Sequence, residues 1–262
     1  MTASRPGILA SFTPSFVRAA AQFLRSRRAV VLVLALSVPP ILALPIATRN
    51  AEVRTEALAA IVVFVYLQFL LPITGLVFGT GVLLDEASAG ALPYLFTRPS
   101  PRSGILLGKV VAYWLLGSAA LALSLGGFIL LCQGATPGDP LPARAFLAVL
   151  AAFPAYLALF TVLGVFTRWA LVGGFFYAFG LEGFLGVIPG LIRKSTLLYY
   201  SRSLLGPWEA RRFRPDLVLG PGGAATDGTS LTVLGVTAFA AMVLAAWVLS
   251  RRQFVPRTAA RD

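Results

Sequence analysis

The sequence predicts an all-α, polytopic membrane protein. It has six transmembrane helices, an amphipathic N-terminal interfacial helix and one short amphipathic helix on the cytoplasmic surface. Three observations carry this. Hydrophobic residues make up 58% of the 262 residues and charged residues only 12%, where a soluble domain has about 25% charged. Six apolar runs, at about 29–47, 57–84, 110–132, 145–167, 170–192 and 231–250, lie near the roughly 20 residues that a bilayer requires. The basic residues stand at the ends of those runs, so the formal charge of +12 fits membrane orientation and anionic lipid headgroups rather than nucleic acid.

Residues 1–28 are polar with a helical apolar period. Ile8, Phe12, Phe16, Ala19 or Ala20, and Phe23 share one face, while Arg18, Arg25, Arg27 and Arg28 accumulate towards the end. Thr13-Pro14 reads as N-cap and first helical residue. The pattern predicts a helix lying flat beneath the first span, anchored in lipid by its phenylalanines. A cleaved signal peptide fits poorly, because the basic region is too long for one.

The first run contains Pro39, Pro40 and Pro45, which predicts a kink or break in its second half. The second run is long enough to tilt or to extend beyond the bilayer. Gly75 and Gly79 in that run, and Gly186 and Gly190 in the fifth, are spaced for close helix approach, within the chain or between copies. Gln68 and Thr74 are the polar residues of the second run and candidates for lining a path or gate. The fourth and fifth runs are separated only by Arg168-Trp169, an interfacial turn.

Between the second and third runs lies the polar stretch 85–109, too short to be a domain. Asp85 and Glu86 stand at its front, where a helix N-terminus favours negative charge. Leu92, Leu95 and Phe96 recur at helical spacing, and Arg98-Pro99-Ser100-Pro101-Arg102 then breaks the helix. Ser103 is the expected N-cap of the next helix, which begins at Gly104 and carries Lys109 at the foot of the third span. The stretch predicts a short amphipathic helix presented to something outside the membrane.

Basic residues set the orientation. With the N-terminus inside, segments 1–28, 85–109, Arg168 and 251–262 hold 13 of the 22 Lys and Arg, so both termini are expected on the cytoplasmic side of the plasma (inner) membrane. The extracytoplasmic segment 193–229 holds six of the rest. Within it Leu197, Leu198, Tyr199, Tyr200, Leu204, Leu205 and Trp208 predict a short amphipathic helix at the outer headgroup level. Gly220-Pro221-Gly222-Gly223 and Asp227-Gly228 read as turns before the last span.

Catalytic signatures are weak. The chain has no histidine and one cysteine, Cys132, which excludes a His-based site and an intrachain disulfide. Gly104-Ile-Leu-Leu-Gly108-Lys109 is one residue short of a phosphate loop, and Val110 follows where Ser or Thr is required. Asp85 and Glu86 are neighbours on a helix and point apart, a poor acid–base pair. With two methionines besides, a soft-metal path is also unsupported. Glu182 is the one carboxylate inside an apolar run, and an intramembrane acid is a functional candidate, as gate or as substrate contact.

The central stretch resembles the signature region of ABC-transporter permeases of the type 2 export class. Glu86, Gly90-Ala91-Leu92, Leu95, Pro99-Ser100-Pro101-Arg102 and Lys109 stand at that family's motif positions, with Arg98 before the proline, while Ala87, Ser88 and Pro93 depart from it. The resemblance extends over nearly the whole chain, so 1–262 is expected to be one transmembrane domain. It implies a permease that is not itself an enzyme and binds no cofactor of its own. ATP and magnesium would be held by a separate ATP-binding subunit, and a second permease copy or paralogue would complete the path. In such proteins the first cytoplasmic loop is the coupling helix, which assigns ATPase coupling to Asp85, Glu86, Gly90, Leu92, Leu95, Phe96, Arg98, Pro99, Arg102 and Lys109. A rival from another class is an ion- or proton-coupled carrier with Glu182 as the coupling group. A neighbouring ATPase gene separates the two readings.

Overall fold

Hydrophobic length decides the main elements. The computed structural model describes residues 8–88, 102–132, 140–167, 169–187, 191–206 and 224–251, and all regular structure among them is helical. We label the helices α1 (Ile8–Leu24), α2 (Arg27–Ala47), α3 (51–88), α4 (Arg102–Cys132), α5 (Leu141–Phe166), α6 (170–187), α7 (Leu197–Ser203) and α8 (Asp227–Arg251). Among the described residues five stretches are long and apolar enough to cross a membrane: Arg27–Ala47, Val53–Val82, Gly104–Cys132, Leu141–Phe166 and Asp227–Arg251. The run expected at 170–192 forms a shorter apolar helix, Ala170–Leu185. Its middle, Phe176–Leu181, is wound as a π-helix, and a 3-10 turn at Leu191–Ser195 leads into α7.

α3 and α5 make the centre. Gly75 and Gly79 face α5 so closely that an added Cβ would lie 2.8 Å from the Tyr156 Cβ and 2.7 Å from the Phe160 Cβ. The small-residue pair therefore serves packing inside the chain, with ridge and groove meeting at backbone distance. Gly186 and Gly190 lie outside the residues whose surroundings are described. α8 packs along the other side of α5, α4 packs against α3 and α5, and α2 leans on α4.

The prolines of α2 do not break it. Pro40 has no N–H to give the carbonyl four residues back, that of Leu36. Ser124 of α4 donates its hydroxyl to this carbonyl instead. Because that uses the only Ser124 proton, the 2.9 Å contact between Tyr66 and Ser124 has the tyrosine as donor. A side chain on a neighbouring helix thus replaces the bond that proline removed, as an apolar solvent demands. α3 also bends its rules at a proline. The stretch Ile61–Leu70 is π-helical and ends just before Pro72, and a wider turn relieves the clash between a proline ring and the preceding turn.

α1 corrects one expectation. It is already helical at Ile8, so Pro14 is inside it rather than at its start. Part of its apolar face is docked on protein. Ala19 and Phe23 are buried, and the Phe23 ring stacks on Phe78 at 4.2 Å and meets Tyr113 edge-on at 5.9 Å. An added Cβ at Gly108 of α4 would lie 2.6 Å from the Phe12 carbonyl oxygen, so this glycine is the seat of α1. Ser26 turns the corner into α2, donating to the Phe23 carbonyl and capping Ala29 N–H.

Candidate functional site

A polar cluster lies where α3, α5, α6 and α7 meet. α7 starts because Thr196 accepts from Tyr199 N–H while its own hydroxyl donates to the Arg193 carbonyl, a helix cap with both ends satisfied. The expected short helix forms as α7, and it is buried against the bundle. Leu197, Leu198, Tyr199, Ser201, Arg202 and Ser203 are buried, as are Leu204 and Leu205 beyond it. Its surroundings on several sides explain why no polar face is left for water. Trp208 lies outside the described residues.

Glu182 meets the start of α7. Its Oε1 accepts from Leu198 N–H at 3.1 Å and its Oε2 from the Tyr156 hydroxyl at 2.6 Å. Tyr156 is fully buried and Glu182 is 2% exposed, so both carboxylate oxygens are engaged where water is scarce. Negative charge at a helix N-terminus is also favourable. The second contact is made by Arg202, whose Nη2 donates to Gln68 Oε1 at 2.6 Å while its guanidinium sits 5.9 Å from the Phe64 ring centre. Gln68 and Glu182 therefore come together through α7. Thr74 is buried one and a half turns further along α3, and its hydroxyl has no hydrogen-bond partner among the described residues. Both π-helical stretches adjoin this cluster, Gln68 being within one and Glu182 directly after the other.

A clasp holds the far end of α7. Arg144, near the start of α5, donates to the Leu204 carbonyl at 3.3 Å and pairs with Asp227 at 3.1 Å. Asp227-Gly228 opens α8 rather than forming a turn before it, and the carboxylate in that first turn suits the helix dipole. The chain then leaves through Gly206, at φ +73° with Arg144 packed against its α-carbon, where a side chain would have neither the conformation nor the space.

The other predicted site lies at the α1 end of the bundle. Asp85 and Glu86 belong to the closing part of α3 instead of the start of a new helix, because the helix runs on past the apolar residues. Arg102 is the first residue of α4, which begins before the expected cap Ser103. Gly90, Leu92, Leu95, Phe96, Arg98 and Pro99 lie outside the described residues. Lys109 is buried, and its Nζ donates to the Val82 carbonyl at 2.9 Å. It ties α4 to α3 and is not at the surface.

Sequence reasoning missed Tyr156, Arg202 and Arg144. A tyrosine in an apolar span looks like packing, and Arg202 and Arg144 sit in stretches expected outside the bilayer. The available signal was Thr196 ahead of Leu197-Leu198, an N-cap before an apolar pair.

No described residues form a cluster of three His, Cys, Asp or Glu suited to a metal. An apolar groove of about 560 Å³ runs between α4 and α8 above Pro154 and Leu157, with Trp114 and Phe239 on its walls. It lacks the few convergent polar groups that orient a ligand. A family model described as ABC-2 family transporter protein matches residues 18–253, almost the whole chain. No curated protein matches it.

Proposed function

This chain belongs to the ABC-2 family of transporters, and from that premise we propose that it is the permease subunit of an ATP-driven exporter. It works with separate ATP-binding subunits and with a second permease, a copy or a paralogue. Membership of the family over residues 18–253 is the observation that carries this reading. In this reading α6 completes a sixth crossing together with the residues after it, both termini are cytoplasmic, and the membrane is the plasma (inner) membrane.

Residues 85–102 dock on the ATP-binding subunit as a coupling helix, and Asp85, Glu86, Gly90, Leu92, Leu95, Phe96, Arg98, Pro99 and Arg102 form that contact. Lys109 has a different part. Its bond to the Val82 carbonyl makes the ends of α3 and α4 move as one, so displacement of the docked segment is transmitted to both helices. The outer gate is the inserted segment 191–206, held by Glu182 and by Gln68 through Arg202, with Thr74 deeper on the same helix as Gln68. Engagement of both Glu182 oxygens favours a structural or gating part for it over ion coupling.

The test is substitution of the apolar face of the docking segment. Leu92→Asp or Leu95→Asp places an unpaired charge in a desolvated contact, a loss on the order of several kcal/mol. Normal amounts in the membrane with reduced co-purification of the ATP-binding subunit, or ATP hydrolysis uncoupled from export, is the expected result. A Leu95→Asp protein that keeps its partner and exports at the wild-type rate would show that this segment is not the coupling element.

A further inference from the structure

The apolar groove between α4 and α8 has two distinct ends. α8 starts beside the start of α5, where Arg144 pairs with Asp227. α4 runs against α5, since an added Cβ at Gly126 would lie 3.6 Å from Phe146 and one at Gly117 would lie on Phe153. Leu106 and Ala246 therefore share one end of the groove, and Trp114 and Gly235 lie towards the other. From Gly235 to Ala246 the groove follows α8 for about 16 Å at the helical rise, close to the roughly 15 Å of hydrocarbon in one leaflet. Its volume of about 560 Å³ over that length gives a mean cross-section of about 35 Å², well under the roughly 80 Å² of a helix 10 Å across. An extended hydrocarbon chain can enter it and a whole helix cannot. Gly235 keeps the far end clear, because a Cβ there would meet nothing within 4 Å.

No polar group within the groove orients an occupant, so an orienting charge must stand beyond its ends. Phe239 and Val243 on the wall begin an i, i+4 row that continues through Trp247 to Arg251. The Arg251 guanidinium lies 4.3 Å from the centre of the Trp247 ring, and both residues are exposed. The ring covers one face of the guanidinium, and Arg251 has no hydrogen-bond or ion-pair partner among the described residues. Its N–H groups are left for a phosphate. Arg251 stands about 7–8 Å along α8 from Ala246, and a headgroup layer is about 5–7 Å thick, a depth that also suits Trp247. The sequence from Gly228 to Arg261 contains no acid and, besides Arg251, three further arginines. We propose that the groove between α4 and α8 holds one acyl chain of an anionic phospholipid, with the headgroup phosphate on Arg251. In the proposed orientation this lipid belongs to the cytoplasmic leaflet, where anionic lipids are found. The site lies away from α6 and α7 and is independent of what the permease carries.

The test uses the full-length chain in phosphatidylcholine vesicles, carrying Trp169→Tyr, Trp208→Tyr and Trp247→Tyr. Trp114 on the groove wall then reports alone, and a tyrosine ring still stacks with Arg251. The probes are phosphatidylglycerol and phosphatidylcholine, each dibrominated on its acyl chains so that contact quenches tryptophan fluorescence. Phosphatidylglycerol should reach half-maximal quenching at an about fivefold lower mole fraction, the worth of one arginine at an anionic surface. Arg251→Gln, an exposed change at the end of α8, should bring the two lipids to the same curve. Gly235→Leu, which fills the far end of the groove, should weaken quenching by phosphatidylglycerol severalfold. Equal quenching by the two lipids in the parent protein overturns the site, as does a preference that survives Arg251→Gln or quenching indifferent to Gly235→Leu. Quenching by neither lipid, with Phe239→Cys forming disulfide-linked dimers in a Cys132→Ser background, overturns it as well and gives the groove to a second copy.

Discussion

Ser124 on α4 donates a hydrogen bond to the Leu36 carbonyl on α2, which Pro40 deprives of its helical donor. Tyr66 on α3 completes the chain by donating to Ser124. Three helices are thus joined by the repair of one proline defect.

Removing the repair should be costly and specifically reversible. Ser124→Ala leaves a buried carbonyl and a buried tyrosine hydroxyl unpaired, at about 1–3 kcal/mol for each group. The detergent-solubilised protein should unfold at lower temperature, followed by tryptophan fluorescence. Pro40→Ala returns the N–H that Leu36 lacks, so in the Ser124→Ala background it should recover much of the loss. Purely additive effects in this double-mutant cycle would mean that proline and serine are not coupled.

Glu182 is engaged by a tyrosine hydroxyl and a backbone N–H, neither of which is an ion path. Glu182→Gln keeps an acceptor for one of them, so ATP-driven export should be reduced severalfold at most and remain independent of a proton gradient. Export abolished by Glu182→Gln, with wild-type export collapsing under a protonophore, would instead favour a proton-coupled carrier.

Topology is checked in a Cys132→Ser background. Ala3→Cys and Ala259→Cys should be shielded from an impermeant thiol reagent in intact cells. Ala224→Cys, exposed beside the start of α8, should be labelled. Labelling at both termini with protection at Ala224 would invert the orientation.

Most of the bundle was legible because hydrophobic length is a local property. Five of the six apolar runs of about 20 residues form helices long enough to cross a membrane among the described residues. Glu182 was legible for the same reason, as a charge where none belongs. What escaped was non-local. Whether Leu197, Leu198 and Arg202 lie on the bundle or within it depends on α3, α5, α6 and α8, and their own spacing does not encode that choice. The α1 phenylalanines posed a similar ambiguity. A face that suits lipid also suits Phe78 and Tyr113. Even Lys109, at its motif position, serves a carbonyl 27 residues earlier.

The seat of α1 at Gly108 also imposes an order on biosynthesis. α1 emerges from the ribosome before α4, and the glycine it rests on is made more than eighty residues later, about 4–17 s at ordinary elongation rates. In that interval Phe12, Phe16 and Phe23 cannot reach α4, and the bilayer surface is the apolar neighbour at hand. The amphipathic face that reads as a lipid anchor is therefore suited to two successive partners.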